Sequence, residues 1–253
     1  MRHGAVNPVA EARRFLSALQ FLTRLPVPDP GWEEGRLRLA SRYFGAVGLI
    51  VGAIAALVWA GAALVLPPMV AALLATSAAI LVSGGLHEDG FADTADGLLG
   101  TRDRQRALEI MRDSRIGTYG ALALVLSVGL RAAALGALPM AEGMLALILA
   151  STTGRALMVP AIALAPYARN EGLGRGVEGA GATETIAAAS TAGLVSLFAG
   201  ASGLLALVVA AVLAWGLLLW MRRRLGGYTG DCLGAIAVTG ETAVLVTLAG
   251  AWA

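Results

Sequence analysis

The sequence predicts an all-α, polytopic integral membrane protein: a helical bundle of about seven transmembrane helices, preceded by an N-terminal interfacial helix. Three observations predict it. Of 253 residues, 57% are hydrophobic and only 14% charged, with a mean hydropathy of +0.74, a balance that a water-exposed surface does not support. The apolar residues gather into stretches near the roughly 20 residues that a helix needs to cross the hydrocarbon core. The basic residues, nineteen arginines and no lysine, fall almost entirely between alternate stretches.

Taken in order, residues 10–24 (AEARRFLSALQFLTR) place Phe15, Ala18, Leu19 and Leu22 at helical spacing, with Arg13 and Arg24 on the other side. That is the pattern of a helix lying in the interface. The proline-rich LPVPDP then leads into a charged segment ending at Arg42. Seven spans are predicted after it, at 43–66, 69–86, 119–138, 143–165, 184–200, 202–221 and 232–252. The stretch 184–221 is too long for one crossing and is divided at Gly200. Gly45, Gly48 and Gly52 form a small-residue face suited to close helix packing.

With the N-terminus cytoplasmic, the cytoplasmic pieces are 1–42, 87–118, 166–183 and 222–231, and they hold seventeen of the nineteen arginines. The opposite loops near 67 and 140 hold none. Only Arg131 and Arg155 fall within spans, where an ionisable group usually has a partner or a task. Arg131 reads as a structural pair, and Arg155 as either structural or substrate-binding, with Glu241 a candidate partner. The whole chain, 1–253, is expected to form one membrane domain in the cell inner membrane. No short apolar core with a cleavage site stands near the N-terminus, so insertion is expected through the first span. A net charge of +2 gives no reason to expect nucleic-acid binding, and the single Cys232 excludes an internal disulfide and a cysteine-based zinc site. Oligomeric state, single chain or homo-oligomer, is left open.

The chemistry concentrates in GGLHEDGFADTADGLLG, residues 84–100, where Glu88, Asp89, Asp93 and Asp96 fall within nine positions that hold no basic residue. On a helix, Asp89, Asp93 and Asp96 share one face within about 60°. Carboxylates so close raise one another's pKa values unless a cation sits among them. Oxygen ligands without clustered His or Cys suit Mg²⁺ or Mn²⁺. A structural reading, an acidic helix start favoured by the dipole, explains fewer acids than are present. Magnesium at the cytoplasmic mouth of a bundle suggests phosphoryl chemistry, which also needs cations for the substrate. Arg115 follows, beside Ser114 and Gly117 in a small polar turn where backbone amides are available to an anion. His87 reads as a helix start or a substrate contact. The glycine-rich PYARNEGLGRGVEG, 166–179, offers Arg169 on a loop able to fold over a substrate, and Asp231 opens the last span as an N-cap or as a metal or substrate ligand.

These motifs resemble the cobalamin synthase family, the adenosylcobinamide-GDP ribazoletransferases. GGLHEDGFADTADGL and MRDSRIGTYG, 111–120, carry the likeness. FLTRLPVP, GRALMVP, PYARNEGLG and TGDCLGA support it in the same order along most of the chain. The resemblance implies a Mg²⁺-dependent inner-membrane enzyme of late vitamin B12 assembly. In that reaction a ribose hydroxyl of α-ribazole, or of α-ribazole 5′-phosphate, attacks adenosylcobinamide-GDP, giving adenosylcobalamin or its phosphate and GMP. It also implies that Glu88, Asp89, Asp93 and Asp96 form the metal and catalytic set. Asp89 and Asp93 would then bind the metal against the diphosphate, Asp96 would complete its shell or take a proton, and Glu88 would be a second ligand or a base. Arg115, Ser114, His87, Arg155, Arg169 and Asp231 are the candidate substrate contacts.

Two other readings are weaker. A CDP-alcohol phosphotransferase pattern fits Asp93, Asp96 and Gly97, but Gly100 and Thr101 stand where it needs Ala and Arg. A cation transporter predicts carboxylates near the bilayer midplane and an inverted repeat, and neither is visible in the sequence.

Overall fold

The computed structural model describes residues 7–31, 33–169 and 171–253, so Asn170 of PYARNEGLG lies outside the described residues. Among these, eleven α-helices and no strands are present: α1 (Pro8–Leu22), α2 (Arg36–Ala40), α3 (Phe44–Ala63), α4 (Pro68–Val82), α5 (Leu86–Gly100), α6 (Arg104–Ile110), α7 (Thr118–Gly136), α8 (Met140–Leu164), α9 (Ala182–Phe198), α10 (Gly200–Leu225) and α11 (Gly230–Trp252). The all-α polytopic membrane class stands.

Five of the seven expected spans are helices long and apolar enough to cross a membrane among the described residues: α3 with its lead-in from Arg36, α7, α8, α10 and α11. The other two are shorter. The stretch beginning at 69 stops at Val82, where the chain turns through 91° into α5. Gly84 and Gly85 make that elbow with φ of 65° and 70°, a left-handed conformation that residues with a Cβ adopt at a cost. The α9–α10 break falls at Gly200, also left-handed at φ 60°, which leaves α9 with 17 residues.

α1 begins where the Asn7 side chain accepts from the Val9 and Ala10 N–H groups, followed by Pro8 in the first turn. Its apolar stripe packs on the protein itself: Ala18 and Leu22 are fully buried, and Phe15 meets Tyr43 edge-on at 5.7 Å. α8 and α11 are the most buried spans and form the centre, with α3, α7 and α10 around them. Small residues bring their backbones together. A Cβ at Gly48 would collide with the Ser151 carbonyl, and one at Gly52 would sit 2.6 Å from the Ile148 Cα, so these two of the three expected glycines form the seam between α3 and α8, while Gly45 faces α9, a Cβ there standing 3.1 Å from the Thr191 Cβ. Gly154 does the same between α8 and α11, at 2.6 Å from the Ala237 carbonyl oxygen.

Candidate active site

α5 carries all four motif acids, and its neighbours sort them into two kinds. Asp96 is buried against the start of α7, where Gly117 offers no side-chain cap. Its Oδ2 accepts the Gly117 N–H at 2.7 Å and its Oδ1 the Gly120 N–H at 2.8 Å. A Cβ on either glycine would strike this carboxylate. In the turn whose amides the sequence left available to an anion, the Gly117 N–H is therefore occupied by Asp96, and the Arg115 N–H by Asp113 at 3.1 Å. Glu88 is likewise engaged, its Oε1 accepting from Arg131 Nη2 at 3.0 Å.

Asp89 and Asp93 remain. Asp89 is exposed and lines a cavity of about 180 Å³. Asp93, one turn further, is half-buried, and its pKa is pushed up to about 7 by burial, then by the Asp89 and Asp231 carboxylates, with Arg169 opposing. The cavity lies where α5 meets the first turn of α11. Gly90 permits that approach, since a Cβ there would stand 2.8 Å from the Asp231 Cα. Gly234 lets α11 approach the His87 carbonyl in the same way, a Cβ there standing 2.9 Å from that oxygen. Around the cavity stand His87, Asp89, Arg169 and Asp231, four of the residues singled out from sequence, together with Tyr167, Met158 and Phe21, which were not. Tyr167 belongs to PYARNEGLG, so its motif was visible although its position was not.

Arg169 reaches Asp231 with Nη1 at 2.9 Å. Its Nε and Nη2 are buried and lack a hydrogen-bond partner among the described residues. A guanidinium edge left unpaired in a buried setting is costly and suits an incoming anion. The segment bearing it is tied to the α10–α11 connection by two backbone hydrogen bonds, Ala168 N–H to the Tyr228 carbonyl at 2.8 Å and Tyr228 N–H to the Pro166 carbonyl at 3.0 Å. The Tyr167 and Tyr228 rings pack edge-on at 5.4 Å. His87 is 3% exposed, with Nε2 unpartnered among the described residues.

Three other candidates sit elsewhere. Ser114 and Arg115 are exposed, and Arg115 pairs with Asp113 at 2.6 Å, holding that carboxyl down to about 2. Arg115 lines a separate shallow groove with Asp96 and Tyr119. Arg155 is 1% exposed; its Nη1 donates to Glu241 Oε1 at 2.7 Å and its Nη2 to Ser83 Oγ at 2.6 Å, so the predicted partner Glu241 is the observed one. Arg131 also pairs, with Glu241 at 3.1 Å and with Glu88.

Among the described residues, no three His, Cys, Asp or Glu side chains are grouped so as to hold a metal ion by themselves. Magnesium commonly takes only one or two carboxylates and fills its octahedron with waters and substrate phosphates. Asp89 and Asp93, crowded with Asp231 against the single Arg169, form a carboxylate set short of positive charge, and they fit a cation on that ground.

A family model described as cobalamin-5-phosphate synthase matches residues 14–249. Curated proteins named adenosylcobinamide-GDP ribazoletransferase are similar over nearly their whole length. The one from Leptothrix cholodnii is 42% identical, covering 96% of this chain and 98% of its own. That from Shewanella amazonensis is 41% identical over 96% of each chain, and that from Bradyrhizobium diazoefficiens 42% identical over 96% of this chain and 94% of its own. No solved structure matches.

Proposed function

The chain belongs to the cobalamin-5-phosphate synthase family of enzymes, and from that premise we propose that it transfers the adenosylcobinamide-phosphate moiety of adenosylcobinamide-GDP to a ribose hydroxyl of α-ribazole or α-ribazole 5′-phosphate. In this reaction the hydroxyl oxygen bonds to the phosphorus that carries the corrinoid. The bond from that phosphorus to the bridging oxygen breaks, GMP leaves with the bridging oxygen, and the hydroxyl proton passes to a free carboxylate or to water. The observation that carries the reading is the cavity itself, which Arg169, with two guanidinium nitrogens unpartnered among the described residues, lines together with Asp89 and Asp231.

The cavity is smaller than the ~300–1,000 Å³ that accommodates drug-sized ligands. It suits the diphosphate and the attacking ribose, with the corrin ring outside at the membrane surface. Arg169, which lines the cavity, supplies the guanidinium for a phosphate oxygen. His87 contacts the substrate from the start of α5. Asp89 and Asp93 would hold Mg²⁺, which when bound neutralises charge developing on the phosphoryl oxygens. Glu88 and Asp96, already bonded to Arg131 and to α7, serve the reaction by placing α5. The arginine distribution orients the site toward the cytoplasm, where nucleotides are present.

Purified protein in nanodiscs, given adenosylcobinamide-GDP and α-ribazole with and without Mg²⁺, tests the reading. Release of GMP that needs both acceptor and metal, and that Asp89→Asn abolishes, is the expected result. Absence of release from folded wild type with either acceptor would refute it.

A further inference from the structure

Three buried charged side chains, Arg131, Arg155 and Glu241, and the partly buried Glu88 lie outside the cavity, at the level where α7, α8 and α11 surround the α4–α5 elbow. They form one continuous chain. Ser83, at the end of α4, accepts from Arg155 on α8; Arg155 reaches Glu241 on α11; Glu241 uses its second oxygen for Arg131 on α7; and Arg131 donates to Glu88 in the first turn of α5. The chain therefore starts on one side of the elbow and ends on the other, passing through three spanning helices. Both guanidiniums are at most 2% exposed.

We propose that Arg131, Arg155 and Glu241 are positioning residues for the transfer, fixing the angle of the α4–α5 elbow and with it the place of Asp89 and Asp93; the link to catalysis rests on the function proposed above. The elbow is closed by short-range backbone bonds, Gly84 N–H to the Leu81 carbonyl at 3.0 Å and Gly85 N–H to the Ile80 carbonyl at 2.9 Å, but glycine at both positions leaves other dihedrals sterically open, so its angle draws on support from outside the turn. Stability does not explain the charges, since apolar residues of similar volume commonly serve a buried site as well or better. Direction does. Each guanidinium holds a planar fork of donors aimed at two different partners, so a change in the elbow breaks a bond at one end or the other. Glu241 is shared by both arginines, which makes the two halves of the clamp one unit. The clamp ends at Glu88, and the next residue, Asp89, is already at the cavity.

Arg131→Lys is the informative variant, because it keeps every charge while an ammonium lacks the planar fork that joins Glu88 to Glu241. Glu241→Gln accompanies it. Spin labels at Leu99→Cys on α5 and Val246→Cys on α11, both exposed positions, report the placement of α5 in nanodiscs without substrate, and Cys232 is buried. Relative to the labelled wild type, the distance distribution is expected to broaden in both variants. In Arg131→Lys the kcat for GMP release is expected to fall by about a hundredfold, the scale of a catalytic group misplaced by ~1 Å, with the protein still monodisperse and helical. A distribution that superimposes on wild type, or a kcat within about twofold of it, overturns the proposal. Should Glu241→Gln fail to fold, Arg131→Lys decides alone. Should wild type release no GMP, the ribazoletransferase reading fails, and the distance measurement still decides the clamp.

Discussion

Asp96 shows how a motif residue divides between chemistry and architecture. Its two oxygens are both occupied by the α7 amides, so its replacement acts first on the fold. Asp96→Ala leaves the buried Gly120 N–H and the partly buried Gly117 N–H unpaired and is expected to cost about 2 kcal/mol, the upper range for losing a cap, seen as a lowered midpoint in chemical unfolding. Asp93 behaves differently. Its folded-state pKa near 7 stands above the unfolded value, so between roughly pH 4 and 7 the folded chain keeps a proton that the unfolded chain has released. Stability of the metal-free protein is therefore expected to fall as pH rises through that window, and Asp93→Asn should flatten the slope in thermal melts at a series of pH values. Binding of Mg²⁺ should strengthen over the same interval as the proton leaves. That the acids share a helix was legible in their spacing, because helical period is a local property. That Asp96 caps a helix 21 residues on was not, because its partners are backbone groups brought there by the fold.

At the scale of elements, glycines divide into those that carry a contact and those that carry none. Gly90→Ala drives a methyl into the Asp231 backbone and is expected to lower both stability and GMP release, by separating α5 from α11. Gly61→Ala meets open space inside α3 and is expected to stabilise by roughly 0.4–1 kcal/mol, mainly by restricting the unfolded chain. Thermal unfolding of the two variants in one detergent compares them directly. The long spans were legible because the bilayer imposes length and composition together. α4 was not bounded correctly, since Leu81, Val82 and Leu86 are as apolar as the residues before them and hydropathy does not register an elbow. The pair Gly84–Gly85 was its only local sign. Arg131 and Arg155 were recognisable as needing partners, and Glu241 as one of them, but the extension to Glu88 required α5 to turn back among the spans.

Over the whole molecule, seventeen of the nineteen arginines fall in the pieces that the seven-span reading assigns to the cytoplasm, and that reading predicts a direction for the bundle, since basic residues flanking spans are retained on the cytoplasmic face. Cysteine substitution measures it: Leu66→Cys is expected to react with an impermeant maleimide added outside intact inner-membrane vesicles of inverted orientation only after permeabilisation, and Arg102→Cys before it. Reversal of that order would move the cavity to the other face of the membrane and away from the nucleotide substrate of the proposed reaction.

The shared carboxylate of Glu241 also sets a rule for biogenesis. α7 and α8 are synthesised before α11, so Arg131 and Arg155 enter the membrane ahead of the group that neutralises them both. A nascent bundle interrupted before residue 230 holds two guanidiniums short of their common counter-ion, and such an intermediate is a natural target for membrane proteolysis. Pulse-chase labelling of chains truncated there is expected to show rapid turnover, slowed when both arginines are replaced by leucine. The last helix to arrive would then be the one that licenses the protein to persist.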